Sequence, residues 1–179
     1  MSRVETLVKK FNLQQHPEGG YYAEFYRSSD TVVPVNQKRY QKNTVEQSDE
    51  EQKIIRSATT SIYFLLDKEN YSAWHVLKSD EIWHFYDGSP LHIHVIKEDG
   101  ELVSHVLGNP TGEITSASFQ VLLKAGWWFA AEVIDKTSFT LAGCTVSPGF
   151  DFLDFKLADK DELTAQFPTH AAMISKLTI

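Results

Sequence analysis

The stretch SAWHVLKSDEIWHFYDG, Ser72 to Gly88, decides how this chain is read. Two runs rich in aromatic and β-branched residues, SAWHVL and EIWHFY, flank the polar Lys78-Ser79-Asp80 and predict two short strands. Glu81 follows His75 by six positions, Gly88 follows by a further seven, and Leu77 lies where a second histidine would complete an H-x-H. Alternate residues of a strand share a face, so His75 and Leu77 point together, as do Glu81, Trp83 and Phe85, while His84 points the other way. The stretch holds either a metal site with a ligand missing or a pocket built without a metal.

The same pattern continues on both sides. SATTSIYFLL precedes it, and LHIHVI, LVSHVL, FQVLL, GWWFAAEV and SFTLAGCTV follow, separated by Gly, Pro, Asp, Asn or Lys. Eight such segments with no helix between them exclude a parallel α/β sheet and leave a double-sheet jelly roll or a closed barrel. In HPEGGYYAEFYRS, Gly19 and Gly20 supply a turn into another strand, which starts the barrel near residue 20; it runs to about 157. The polar segment 30–53 reads as a long loop, expected to act as a mobile lid. At the start, Ser2 and Glu5 have capping-box spacing, and Val4, Leu7, Val8 and Phe11 form one helical stripe. At the end, Leu163, Phe167, Ala171, Ile174 and Leu177 predict a helix over about 161–177.

The 179 residues suit a single domain over 1–179 with a core that needs no staples. Lys and Arg number 17 against 24 Asp and Glu, a net charge of −7 with no basic stripe, so nucleic acid is not an expected partner. The single cysteine, Cys144, lies in an apolar run and reads as a core residue of a protein kept in a reducing compartment. No secretory pattern opens the chain and no segment suits a bilayer, so the expectation is a cytoplasmic protein with no membrane partner.

His75, Glu81 and Gly88 fall on the first His, the Glu and the last Gly of G-x5-H-x-H-x3-E-x6-G, the first motif of the cupin superfamily, which the stretch resembles. Glu69 and Leu77 depart from it. Of the second motif only Gly126 remains, and Phe129 stands at the fourth ligand position. HPEGGYY, SATTSIYFLL, HVLKSDEIWHFYDG, KAGWWFAA and CTVSPGFDFLDF, in that order, look like the Cupin_5 branch, domain of unknown function 985. The resemblance implies an all-β double-stranded β-helix, the jelly-roll cupin barrel, with short terminal helices, commonly paired as a homodimer and of unassigned activity. It also implies a metal held by three His and one carboxylate. Here only His75 and Glu81 remain of that set, so no cofactor is expected, and a divalent transition metal is the weaker alternative.

Other histidines offer little replacement. His92 and His94 form an H-x-H, but Leu91, Ile93 and Val95 claim the core side, which turns both histidines outward to solvent. His105 is ambiguous, and His16, beside Pro17, reads as a structural turn residue. His75 and Glu81 differ, because an ionisable pair among aromatic strands is costly unless paired and is enriched at functional sites.

Trp74, Trp83, Phe85, Phe129, Tyr22 and Tyr63 offer aromatic walls for a small-molecule pocket, and Arg27 and Arg56 could clamp a carboxylate or phosphate. The metal-free deoxysugar-nucleotide epimerases among cupins suggest His75 as a base, oriented by Glu81, with Tyr22 or Tyr63 returning a proton. Three functions remain open. The first is a metal-independent pocket, binding or isomerising a sugar derivative; the second is a metal-dependent dioxygenase or isomerase; the third is a non-catalytic, storage-like cupin.

Overall fold

A strand with one apolar face must bury it against a second layer. In the computed structural model, which describes residues 2–40, 53–68 and 70–179, the β segments do so as two antiparallel sheets. In chain order the first elements are α1 (Arg3–Phe11), β1 (Gln14–Gln15), β2 (Tyr21–Arg27), β3 (Thr31–Val32), α2 (Gln37–Tyr40), β4 (Arg56–Ser57), β5 (Thr60–Asp67) and β6 (Tyr71–Leu77). They continue with β7 (Asp80–Gly88), β8 (Leu91–Ile96), β9 (Leu102–Leu107), β10 (Gln120–Leu123), β11 (Trp128–Val133), β12 (Phe139–Ser147), β13 (Phe155–Leu157), α3 (Lys160–Gln166) and α4 (Ala171–Lys176). One sheet has the order β1-β2-β5-β12-β7-β10 and the other β13-β6-β11-β8-β9. This is the expected all-β jelly roll with short terminal helices.

The main core lies between the sheets, where Phe64, Trp83, Val121 and Cys144 of one meet Leu77, Ile93, Val95 and Phe129 of the other. Each such side chain, fully buried, contributes about 1.5–3 kcal/mol. Helices cover part of the outer faces. On α1 the capping box closes, with the Glu5 N–H donating to Ser2 Oγ at 3.1 Å and the Ser2 N–H to Glu5 Oε2 at 2.7 Å. Its stripe packs Leu7 and Phe11 over Tyr63 and Leu65 of β5. At the other end Leu163, Ile174 and Leu177 cover Trp74 and Ala130. The helix expected over 161–177 is broken there, because Pro168 has no N–H to continue α3 and a short turn at Pro168–His170 separates α3 from α4.

Part of the expected lid is ordered differently. Thr31–Val32 pairs with Arg56–Ser57, and α2 buries Tyr40, whose hydroxyl lies 3.0 Å from Ser79 Oγ. Positions 41–52 of that segment lie outside the described residues. Among the described residues no helix is long and apolar enough to cross a membrane.

At Gly88 and Gly19 a positive φ and a close backbone carbonyl leave no room for a side chain. Gly88, the last residue of the opening stretch, has φ +93°, and a Cβ there would sit 2.1 Å from the Phe139 carbonyl oxygen. Gly19 has φ +108° and would meet the Tyr71 carbonyl oxygen at 2.1 Å, whereas Gly100, at φ +84°, would meet only the Phe167 ring at 3.6 Å. Gly19→Ala is expected to destabilise by on the order of 3 kcal/mol, and Gly100→Ala by only about 1 kcal/mol. Urea midpoints compare them directly; equal costs would show that the approach of the turn to β6 relaxes freely.

Candidate functional site

The turn between β1 and β2 delivers a carboxyl group onto the inner face of β6. Gly19 lets the turn approach closely, and the Ala73 N–H donates to the Glu18 carbonyl oxygen at 2.8 Å. On β6 the register against β11 slips, with Phe129 opposite His75 but Ala131 opposite Ser72. The resulting bulge places Ser72 and His75, three residues apart, on the same side. Both reach Glu18: Ser72 Oγ donates to its Oε1 at 2.8 Å, and His75 Nε2 lies 3.2 Å from its Oε2.

Hydrogen bonding fixes the tautomers. His75 Nδ1 lies 2.7 Å from the Ala73 carbonyl oxygen, which can only accept, so Nδ1 carries the proton and Nε2 is bare toward Glu18. The Glu18 N–H donates to His16 Nδ1 at 3.3 Å, which leaves the His16 proton on Nε2. Burial drives every member toward its neutral form. It lowers His75 to about 3, against the help of the Ala73 carbonyl, and lowers His16 to about 4. It raises Glu18 well above the carboxylate range, aided by Glu81 and opposed by the Ser72 hydroxyl. The 3.2 Å contact is therefore between a neutral imidazole and a protonated acid, not an ion pair.

Glu81 completes the group from β7. Burial raises it to about 7, opposed by the nearby Trp83 N–H and Cys144 thiol, yet its Oε2 has no hydrogen-bond partner and neither has Trp83 Nε1. It titrates across neutral pH while its neighbours stay neutral.

These groups line a cavity of about 510 Å³ whose apolar wall includes Tyr22, Phe64, Leu77, Trp83, Phe150 and Phe152. Tyr22 and Glu24 face it by ordinary alternation, and a bulge at Phe25 resets the alternation so that Arg27 faces it too. The Arg27 guanidinium is already committed, with Nη2 2.7 Å from Glu24 Oε2 and Nη1 3.0 Å from the Phe150 carbonyl oxygen.

The structure thus brings together His75, Glu81, Tyr22, Trp83 and Arg27, and sets aside the other expected residues. Tyr63 alternates with the inward Ile62 and Phe64, so it faces outward and stacks on Phe11 at 4.5 Å. Arg56 is pinned to Asp154 through two contacts of 2.6 and 2.8 Å, away from the cavity. Phe129 and Phe85 belong to the core packing and do not line the cavity, although the Phe129 ring sits 4.0 Å from that of His75. Trp74 lies under the C-terminal helices.

The outward histidine pair was misjudged as solvated. His94 is buried, with Nδ1 2.7 Å from Ser104 Oγ and Nε2 3.4 Å from Glu132 Oε1, because α4 brings Lys176 over that face to Glu132. His84 faces away from the cavity toward Thr145, and His105 lies on β9, outside it. Sequence reasoning undervalued His16 and missed Glu18. The available signal was a Glu between His-Pro and Gly-Gly, where a tight turn can present it inward.

The donor set does not fit the cupin metal. Leu77 and Phe129 place carbon at two of the four positions, and no group of three His, Cys, Asp or Glu among the described residues is arranged to hold an ion. Protein prepared without added metal is expected to contain far less than one transition metal per chain by elemental analysis. Near-stoichiometric metal that disappears in His75→Ala would contradict this.

The raised group also leaves a signature in stability. A Glu81 proton stabilises the fold fully below its ordinary value of 4.5, and that contribution is lost as pH rises through about 7. His75 and His16 act oppositely: their contributions are full above 6.5 and are lost as pH falls toward 3 and 4. Relative to the parent, Glu81→Gln should gain stability between about pH 5 and pH 8, by about 1–3 kcal/mol, or several degrees in melting temperature. A difference that does not change with pH would place Glu81 in contact with water.

With this geometry in hand, likeness to known proteins is informative. A protein of Shewanella oneidensis is 34% identical over 100% of this chain and 99% of its own, with a TM-score of 0.81. A hypothetical protein from Leishmania major is 30% identical over 99% of both chains, with a TM-score of 0.83. Oxalate decarboxylase of Bacillus subtilis matches 91% of this chain and 36% of its own at 12% identity and a TM-score of 0.51, a likeness of fold alone. No curated protein matches the chain. The Cupin_5 model, described as cupin superfamily (DUF985), matches residues 5–158, and the chain belongs to that family.

Proposed function

We propose that the chain is a metal-independent small-molecule enzyme that transfers protons within the cavity, in the manner of an isomerase or epimerase. The observation that carries this reading is the buried Glu81 carboxyl, which lines the cavity and leaves Oε2 without a partner. An unsatisfied buried polar atom costs about 1–3 kcal/mol, and such costs persist where a bound molecule offsets them.

Two carboxyl groups with separated protonation states form an acid–base set. In its ionised fraction Glu81 removes a proton from a carbon beside a ligand carbonyl. Glu18, kept protonated by burial and by Glu81, turns its proton from His75 Nε2 to the carbonyl oxygen. The resulting enol is neutral, and returning a proton to the adjacent carbon or to the other face gives the isomer or epimer while restoring both groups. His75 has both ring nitrogens engaged, so this scheme makes it a positioning residue for Glu18 and moves the base role assigned to it from sequence onto Glu81. Tyr22, edge-on to His16 at 4.6 Å between centroids, is the tyrosine available to orient the ligand.

Incubation with a metabolite mixture in D2O tests the reading. One component should acquire carbon-bound deuterium with the parent protein and not with Glu81→Gln. A component that binds in the cavity with no exchange under either protein would reduce the chain to a binding module.

We further propose that the chain pairs as a homodimer. Phe25 and Tyr86 flank Tyr63 on the outer face of the six-stranded sheet and are about half exposed or more, as are Phe119 and Leu122 toward β10. Exposed apolar surface of this kind favours association. Light scattering should give twice the chain mass; a monomer at every concentration would end the proposal.

A further inference from the structure

The charge of the cavity lining goes beyond the reaction type. Four carboxyl side chains border it, Glu18, Glu24, Glu81 and Asp151, against one cation, Arg27. The Arg27 charge is matched by Glu24, which takes its Nε and Nη2, and its Nη1 donates to the Phe150 carbonyl, so no net positive charge is left for a ligand carboxylate or phosphate. The other nearby guanidinium, Arg56, is held by Asp154, with Asp151 Oδ2 3.9 Å away. Among the described lining residues no uncommitted positive charge remains. Two carboxyl groups are in surplus: Asp151, which shares Arg56 with Asp154 and accepts the Leu153 N–H, and Glu81 deeper in, which is 6% exposed and has an oxygen without a partner.

An anion entering this cavity meets the surplus negative charge of Glu81 and Asp151. An organic cation supplies the counter-charge that buried Glu81 lacks. The rings of Tyr22, Trp83, Phe150 and Phe152 add faces that attract a cation through their quadrupoles.

Resting on the proposed proton-transfer reading, we infer that the natural ligand carries a protonated amine, seated against Glu81 and Asp151 between the aromatic walls. The site selects against carboxylates and phosphates. Pairing with an ammonium group also holds Glu81 in the ionised form that accepts a proton.

The inference carries a pH dependence. The titratable groups around Glu81 are Glu18 and His16 on the β1–β2 turn, His75 on β6 and Cys144 on β12, each driven by burial toward its neutral form. The adjacent β10 contributes Leu123 opposite it. Glu81 is therefore the group whose charge changes near neutrality, and amine affinity rises with pH.

Three probes of one shape and different charge test this: benzylamine, benzyl alcohol and benzoate, titrated into the full chain and followed by chemical-shift changes in NMR. At pH 8 benzylamine is expected to bind about tenfold more tightly than benzyl alcohol, the worth of one modest ion pair, with benzoate weakest. The preference should shrink severalfold at about pH 5.5. Glu81→Gln should remove the pH dependence, and Asp151→Asn, which keeps the side-chain oxygen that accepts the Leu153 N–H, should reduce the preference at both pH values. Benzoate binding as well as benzylamine overturns the inference, as does failure of benzylamine to bind or a preference unchanged in both variants. Deuterium incorporation reports on proton transfer whichever probe binds. Exchange with an anion preference thus sinks only the amine, and an amine preference without exchange sinks only the reaction.

Discussion

The arrangement of the site depends on one contact, the approach of the Glu18 carboxyl to the bare Nε2 of His75 at 3.2 Å, with both side chains buried in the cavity wall. Neither group is charged there, because desolvation disfavours both ions and the surroundings offer no counter-charge to reverse it. A buried charged pair would have needed further hydrogen bonds to offset its desolvation. A neutral acid against a neutral imidazole needs fewer, and Ser72 and the Ala73 carbonyl supply them. The remaining carboxyl, Glu81, has only the Trp83 N–H and Cys144 thiol nearby and an unpartnered Oε2, and is left as the group that responds to pH and to a ligand.

Backbone irregularities do much of the positioning. A regular β6 would turn Ser72 and His75 to opposite faces, and the slip against β11 brings both to Glu18. A regular β2 would turn Arg27 outward, and the bulge at Phe25 aims it inward, where Glu24 claims it. The turn at Gly19 is the third device: it packs against the Tyr71 carbonyl more closely than any side chain permits. Where a cupin metal would gather its ligands from strand interiors, this family member draws its second acid from a turn and leaves Leu77 and Phe129 as apolar filling.

Much of this was legible in the chain. Period-two alternation located the strands, and it placed Glu81 and Trp83 on the inner face and His84 on the outer one, because side-chain direction in a strand is a local property. The same rule would have turned Tyr63 outward beside Ile62 and Phe64 had it been applied there. Applied to Arg27 it would have turned that side chain outward, since a bulge has no reliable mark in sequence. It failed for His94 because facing outward from one sheet is not facing solvent when a C-terminal helix returns to cover the face.

The sequence by itself determined the all-β fold, the family, the apolar residues at two metal positions and the inward His75 and Glu81, all consequences of residue type and short-range periodicity. Tertiary structure decided which group stands beside His75, what neutralises Arg27 and Arg56, and which carboxyl titrates near neutral pH. Those depend on distances between segments far apart in the chain, Glu18 to His75 and Arg27 to Phe150 among them, and on the burial that only a closed pair of sheets creates.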